Sequence, residues 1–365
     1  MALDANGNAG FTFEGSGMAN LVYGSYTGSA WATTVVESGS DVGSGSSLIY
    51  SGTTANIAYR GVNTIGDYTL NYAAGSPDSW AITTVDSAAN PRHTSIAMSP
   101  DGSPAIAYFD EAGLGAADDR VSYSYKSGGT WHTEVVHGSG ALRSGGVGLG
   151  FGSTGTPLIG YSADTGAYDP LRFGQRDSGG VWSETTLGGS QHVARYVSLD
   201  LDSQGDPYIA YIDTDTNAVY VDWWNGTAWS SDLVAQGDYA TAWEDRHYLD
   251  MAVDSANNVH LIYYDPVTKQ INYRERLAGG TVWSPNRTLA TASGDAAWLN
   301  LDMGLFDQPV FSYYDTGDSS VYFGQGEGRP IPEPSTVAAF TLGLLALFLW
   351  RRSRRPAPTA SRFTS

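Results

Sequence analysis

VSLDLDSQGDPYIAYIDTDTNAVYVDWWNGTAWSSDLV, residues 197–234, reads as four short strands in a row. Val197 to Leu201 alternates apolar and polar residues, Asp202-Ser203-Gln204-Gly205-Asp206 is a tight turn, and Pro207 to Ile212 is a second strand. Val219 to Trp223 makes a third, and after Asn225-Gly226-Thr227 the fourth runs from Trp229 to Val234. β-Branched and aromatic residues in runs of five or six, joined by Gly/Asp/Asn turns, are what an antiparallel four-stranded unit requires.

The unit repeats along the chain. Trp31, Trp80, Trp131, Trp182, Trp229 and Trp283 recur at nearly equal intervals, and all but one follow a Gly-containing turn. A second landmark keeps the same period, because an aromatic closes an apolar run in each unit: Phe13, Tyr59, Tyr108, Tyr161, Tyr211, Tyr263 and Tyr313. Two independent landmarks sharing a period of about 50 residues define a repeat architecture. No helix alternates with the strands, which excludes most solenoids, and a sandwich has no reason to repeat seven times. The sequence therefore predicts an all-β, seven-bladed β-propeller with blades near 1–38, 44–87, 92–137, 145–188, 195–235, 247–290 and 297–325, then a linker and one short hydrophobic helix. The units resemble bacterial BNR or Asp-box propellers, the wider group that includes sialidases. The Gly and Trp of that motif stand in Ser127-Gly128-Gly129-Thr130-Trp131 and Ser178-Gly179-Gly180-Val181-Trp182, while its Ser-x-Asp opening is mostly absent.

The ends of the repeat array carry their own expectations. Met1-Ala2-Leu3-Asp4 matches Met251-Ala252-Val253-Asp254, so the chain enters its first blade inside the innermost strand. The seventh unit reaches Val321 to Gly324 and passes into a linker, 326–335, without a Trp strand. A closing strand supplied from upstream of Met1 is expected, since propellers close by sharing a strand between termini and an open edge invites pairing.

Beyond the linker, Pro332-Glu333-Pro334 precedes an apolar run to Trp350 and the cluster Arg351, Arg352, Arg354, Arg355. Thr336 to Trp350 offers 15 residues where about 20 cross a full bilayer, so the span is marginal. Arginines directly after it favour a cytoplasmic C-terminus with the body outside. This three-part tail resembles the PEP-CTERM sorting signal of Gram-negative bacteria. The resemblance implies an inner-membrane intermediate, cleavage near the Pro-Glu-Pro by an exosortase, and release of the body to the cell surface or exopolysaccharide matrix. Helix and arginines occupy 336–355, and a disordered tail, 356–365, is expected after them.

Five of the 19 basic residues and one of the 38 acidic ones lie beyond Arg329, leaving 14 against 37 and a net charge of −23 in the body. Such a surface repels phosphate backbones, so no nucleic-acid partner is expected. No cysteine is present, which excludes disulfides and thiolate chemistry.

Antiparallel pairing puts the start of each first strand and the end of each second strand on one rim. Arg92 and Asp110, Arg195 and Asp213, and His247 and Asp265 are separated by the same stretch of chain in blades three, five and six. His93, Arg143 and Arg246 lie close to the same place. Two readings follow: ion pairs that fasten strand to corner, or an anion-recognising mouth in which aspartates orient arginines for a carboxylate or sulfate. Calcium is a weak possibility at Asp213-x-Asp215-x-Asn217, where Ala218 and Trp224 replace the Gly and Glu of an EF-hand loop; no cofactor is otherwise implied. For catalysis, Glu244 and Asp245 beside Arg246 and His247 form the dense acidic and basic cluster. A lyase could use His247 or His93 with Tyr248, and a glycosidase needs two facing carboxylates. The expected function is a non-catalytic surface protein binding an anionic glycan or a protein; a uronate lyase or sialidase-like glycosidase is the alternative.

Overall fold

The computed structural model describes residues 1–15, 20–26, 30–111, 119–138, 146–162, 169–188, 193–239 and 247–326, and the backbone of 361–364. Seven four-stranded antiparallel sheets follow one another along the chain, each ordered from its first strand at the axis to its fourth at the periphery. The chain is a seven-bladed β-propeller. Blade five consists of Ala194–Leu201, Pro207–Asp213, Ala218–Trp224 and Trp229–Gln236.

The burial pattern follows from that arrangement. Second strands such as Pro104–Asp110 are buried at every position, because a blade packs a neighbour against each of its faces. Fourth strands such as Trp131's, Thr130–Gly138, expose most of their length. The apolar clusters accordingly lie between blades, for instance Tyr123 with Val147, Leu149 and Tyr161 across blades three and four.

The tryptophan period has a packing cause. All but Trp283 stand at the start of a fourth strand and set the ring edge-on against an aromatic of the preceding blade's third strand: Trp80 on Tyr23 at 5.1 Å, Trp131 on Tyr72 at 5.3 Å, Trp182 on Tyr123 at 5.4 Å and Trp229 on Phe173 at 4.9 Å. Trp31 meets Phe323 of blade seven in the same way at 5.4 Å, which closes the ring. Such a pair contributes about 0.5–1.5 kcal/mol beyond area burial.

Blade seven departs from expectation at its outer edge. Its fourth strand is Ser361–Thr364, paired antiparallel with Ser320–Gln325 (Val321 opposite Phe363, Tyr322 opposite Arg362). The slot expected for an upstream strand is filled from the tail expected to be disordered. The unpaired edge of Ser320–Gln325 accounts for this, since its backbone groups accept whatever extended segment reaches them. Among the described residues no helix is long and apolar enough to cross a membrane. The expected hydrophobic helix, 336–355, and the residues Pro332, Glu333, Pro334, Arg351, Arg352, Arg354 and Arg355 lie outside the described residues.

Candidate functional site

The mouth of the axial channel, on the rim where first strands begin, is built around a repeated backbone distortion. In blades three, five and seven the register between first and second strands shifts, and a residue bulges out with positive φ: His93 at 48°, Tyr196 at 57° and Trp298 at 50°. Blades two and four place Gly45 (62°) and Gly146 (103°) at the corresponding position. Glycine adopts that conformation freely, whereas a bulky L-residue is strained there. A Cβ at Gly45 would come within 2.9 Å of the His93 backbone nitrogen, and one at Gly146 within 2.8 Å of that of Val197, so each glycine lies bare against the bulge of the next blade.

Blade six has no such bulge. Leu249 stands opposite Tyr263, and the Tyr264 N–H bonds the Tyr248 carbonyl at 2.8 Å. Tyr248, not His247, therefore takes the register position of Arg92 and Arg195; the equal spacing to the aspartates hid one residue of slip. His247 instead reaches the bulge of blade three, with Nδ1 of His93 2.8 Å from its Nε2. Burial, then the nearby His247 and Arg92, push the His93 pKa down to about 3, so its ring is neutral at any physiological pH. Tyr196 packs between His247 (6.4 Å) and Tyr248 (5.1 Å), and Trp298 lies 47 % exposed beside Tyr314.

The arginines find carboxylates in neighbouring loops. Arg92 meets Glu111 at 2.9 Å, and Arg195 meets Asp169 of the preceding blade at 2.9 Å with both side chains about nine-tenths buried. Asp110 binds the Asn90 N–H and the Arg120 guanidinium, the latter at 2.7 Å. Asp213 and Asp265 each cap the turn that follows them, accepting from Asp215 and Thr216 and from Val267 and Thr268 respectively. Those bonds engage the carboxylate that would have opened an EF-hand-like loop. Tyr248 is buried, its ring packed against Tyr196 and Tyr264. Arg143, Glu244, Asp245 and Arg246 lie outside the described residues.

Two features are not legible from spacing. Tyr196 and Trp298 stand where the candidate His93 does, one position nearer to the aspartate that ends the second strand than the spacing of Arg92 and Arg195. Deeper in the channel, carboxylates stitch consecutive first strands: Asp200 accepts the Val253 N–H (2.7 Å), Asp250 that of Leu301 (2.8 Å) and Asp302 that of Leu3 (2.8 Å), the last joining blade seven to blade one. Asp4, Asp202 and Asp254 cap first hairpins as their turn positions suggest, but Asp302 belongs to this stitching instead. Burial raises all three stitching carboxyls above the usual range, Asp200 to about 6. As a chemical device the mouth offers two hydrogen-bonded imidazoles, charge-matched arginines and an exposed indole, which suits hydrogen bonding and stacking on a ligand.

Comparison with solved structures shows the fold. A polysaccharide lyase of family PL25, an ulvan lyase bound to -[GlcA(1-4)Rha3S]-, superposes with a TM-score of 0.60 at 12 % identity over 89 % of this chain and 91 % of its own. A protein of unknown function from Dyadobacter fermentans gives 0.53 at 14 % identity over 78 % and 91 %. The six-bladed fucose-recognising lectin of Aleuria aurantia gives 0.50 at 12 % over 77 % and 90 %. No curated protein sequence matches the chain. Residues 330–355 match the PEP-CTERM protein-sorting motif, which implies export, exosortase-type processing and sorting to the cell envelope.

Proposed function

We propose that this protein is a non-catalytic, envelope-sorted glycan-binding propeller whose ligand is received at the channel mouth, and that its C-terminus holds it in the inner membrane until processing. The observation that carries the reading is the trio His93, Tyr196 and Trp298, held at positive φ where blades two and four use glycine. Strain of this kind persists where the side chain has a task, and it clusters at ligand sites. An exposed Trp298 stacks on the apolar face of a sugar ring, and the His93–His247 pair and the arginine edges meet its hydroxyls. With both arginines matched by carboxylates, a hydroxyl-rich, weakly charged ligand suits the mouth better than a strongly anionic one. His93, with a pKa of about 3, is too weak a base to be poised for proton abstraction near neutral pH.

A glycan array with the folded body tests this beside assays for reducing-end and unsaturated-uronate release. Binding that falls in Trp298→Ala and in an Arg92, Arg195, His247 triple alanine variant, without turnover of any polysaccharide, is the expected result. Turnover abolished by His247→Ala would replace the reading with a polysaccharide-active enzyme.

A further inference from the structure

The rim opposite the mouth, formed by first hairpins and by the turns between third and fourth strands, carries a second candidate site. Between blades three and four it holds a cleft of about 330 Å³ lined by Pro100, Asp101, Tyr125, Lys126, Phe151 and Arg176. That volume lies within the range of small-ligand sites.

The propeller contains its own control for this cleft. Arg176 grips Glu134 of the preceding blade through Nε and Nη2, both at 2.7 Å, and Trp182 adds its indole N–H to the same carboxylate at 3.1 Å. Between blades five and six, Arg276, Asp232 and Trp283 repeat the arrangement at the same register positions, at 2.6 and 3.1 Å. The framework is thus common to both interfaces. What differs is the filling. Opposite Tyr125 stands Ala105, whereas opposite the equivalent Trp223 stands Tyr208, stacked 9° from parallel and 5.7 Å from the Arg276 guanidinium. Blade five closes the cleft with its own ring; blade three leaves that space open.

Charge then selects the occupant. Lys126, where blade five has Trp224, pairs with no carboxylate among the described residues. Arg176 commits two of its nitrogens to Glu134, and Nη1 has no partner among the described residues. Asp101 is engaged by Ser99 and the Ser103 N–H in its own hairpin turn.

We propose that this cleft binds one acidic sugar unit, a uronate within a polysaccharide, with its ring against Tyr125 and Phe151 and its carboxylate on Lys126 and the free edge of Arg176. A lysine and an arginine edge converging beside aromatic walls match that chemistry, since charged hydrogen bonds fix the carboxylate and the rings accept the pyranose face. The site is distinct from the mouth and does not depend on it.

Titration of the folded protein with a glucuronate-containing oligosaccharide, its carboxyl-reduced analogue and a sulfated neutral oligosaccharide tests the proposal. Ala105→Tyr, which copies the filling already tolerated in blade five, is expected to abolish uronate binding without shifting the melting temperature. Lys126→Ala is expected to weaken it about tenfold, the loss of one charged contact, and Trp298→Ala to leave it unchanged. Should Ala105→Tyr melt early, Lys126→Ala carries the test alone. Wild-type affinity in Lys126→Ala, equal binding of the carboxyl-reduced analogue, preference for the sulfated sugar, or loss in Trp298→Ala would each overturn the assignment. Failure of the mouth variants alone concerns only the mouth.

Discussion

Buried ionisable residues give this propeller a pH signature that belongs to single side chains. Asp200 is raised from 3.8 to about 6, chiefly by burial, against the two backbone N–H groups, Val253 and Leu201, that favour its charge. The folded state keeps that proton to about pH 6 while the unfolded chain loses it near 3.8, so the associated stability is complete below the unfolded value and is lost as pH rises through 6. The stability of the wild type relative to Asp200→Asn is expected to fall by about 2 kcal/mol between pH 4 and pH 6.5, read from urea unfolding. A difference that stays flat across that window would show the carboxyl to be ionised throughout. His93 makes a separate prediction. With a pKa near 3, its ring nitrogens should show no titration by NMR between pH 8 and pH 4, and an inflection near 6.5 would mean the pair with His247 is open to water. At this scale the sequence was only partly legible. Arg92, His93, Arg195 and His247 do gather at the mouth, but their partners come from Glu111, Asp169 and one another, because a bulge moves side chains in a way that spacing alone does not record.

Strands and their junctions were far more legible, because the signals that mark them are the contacts that hold blades together. A regularly recurring tryptophan announced the fold, and five of the seven interfaces bury that tryptophan against an aromatic. What the landmark did not reveal is that the interfaces differ in polarity. Trp182 and Trp283 give their indole N–H to Glu134 and Asp232, while the indole nitrogens of Trp31, Trp80 and Trp131 are buried with no hydrogen-bond partner among the described residues. In blade two the position of Glu134 is Thr83, which ends too short of the next blade to serve. Two expectations follow from this contrast. Glu134→Ala, which strands a guanidinium and an indole N–H together, should cost about 2–4 kcal/mol in chemical denaturation. Trp182→Phe should cost about 1 kcal/mol more than Trp131→Phe, since only the former breaks a hydrogen bond. Equal losses at Trp182 and Trp131 would reduce the Arg176–Glu134–Trp182 cluster to a spectator of ring packing.

For the molecule as a whole, the sorting motif lies between the third and fourth strands of blade seven. Ser361–Thr364 completes that blade, yet residues 330–355 separate it from Ser320–Gln325, and cleavage near Pro332-Glu333-Pro334 would remove it. If the apolar run crosses the inner membrane with Arg351 to Arg355 inside, Ser361–Thr364 stands on the opposite side from the body, so pairing and spanning exclude one another. Circular closure does not depend on that strand: Trp31 against Phe323 and Asp302 on the Leu3 N–H join blades seven and one through other contacts. A protein ending at residue 331 should therefore remain a folded propeller and melt only a few degrees below the full chain, as expected for about 1–2 kcal/mol lost from a short edge strand. Hydrogen exchange locates the change. Amides of Ser320–Gln325 should exchange faster in the shortened protein, those of Pro309–Asp315 should not, and a peptide spanning 359–365 added in trans should restore protection. Unaltered exchange at Ser320–Gln325 would mean that the tail does not pair in solution and that processing leaves the edge of blade seven as it found it.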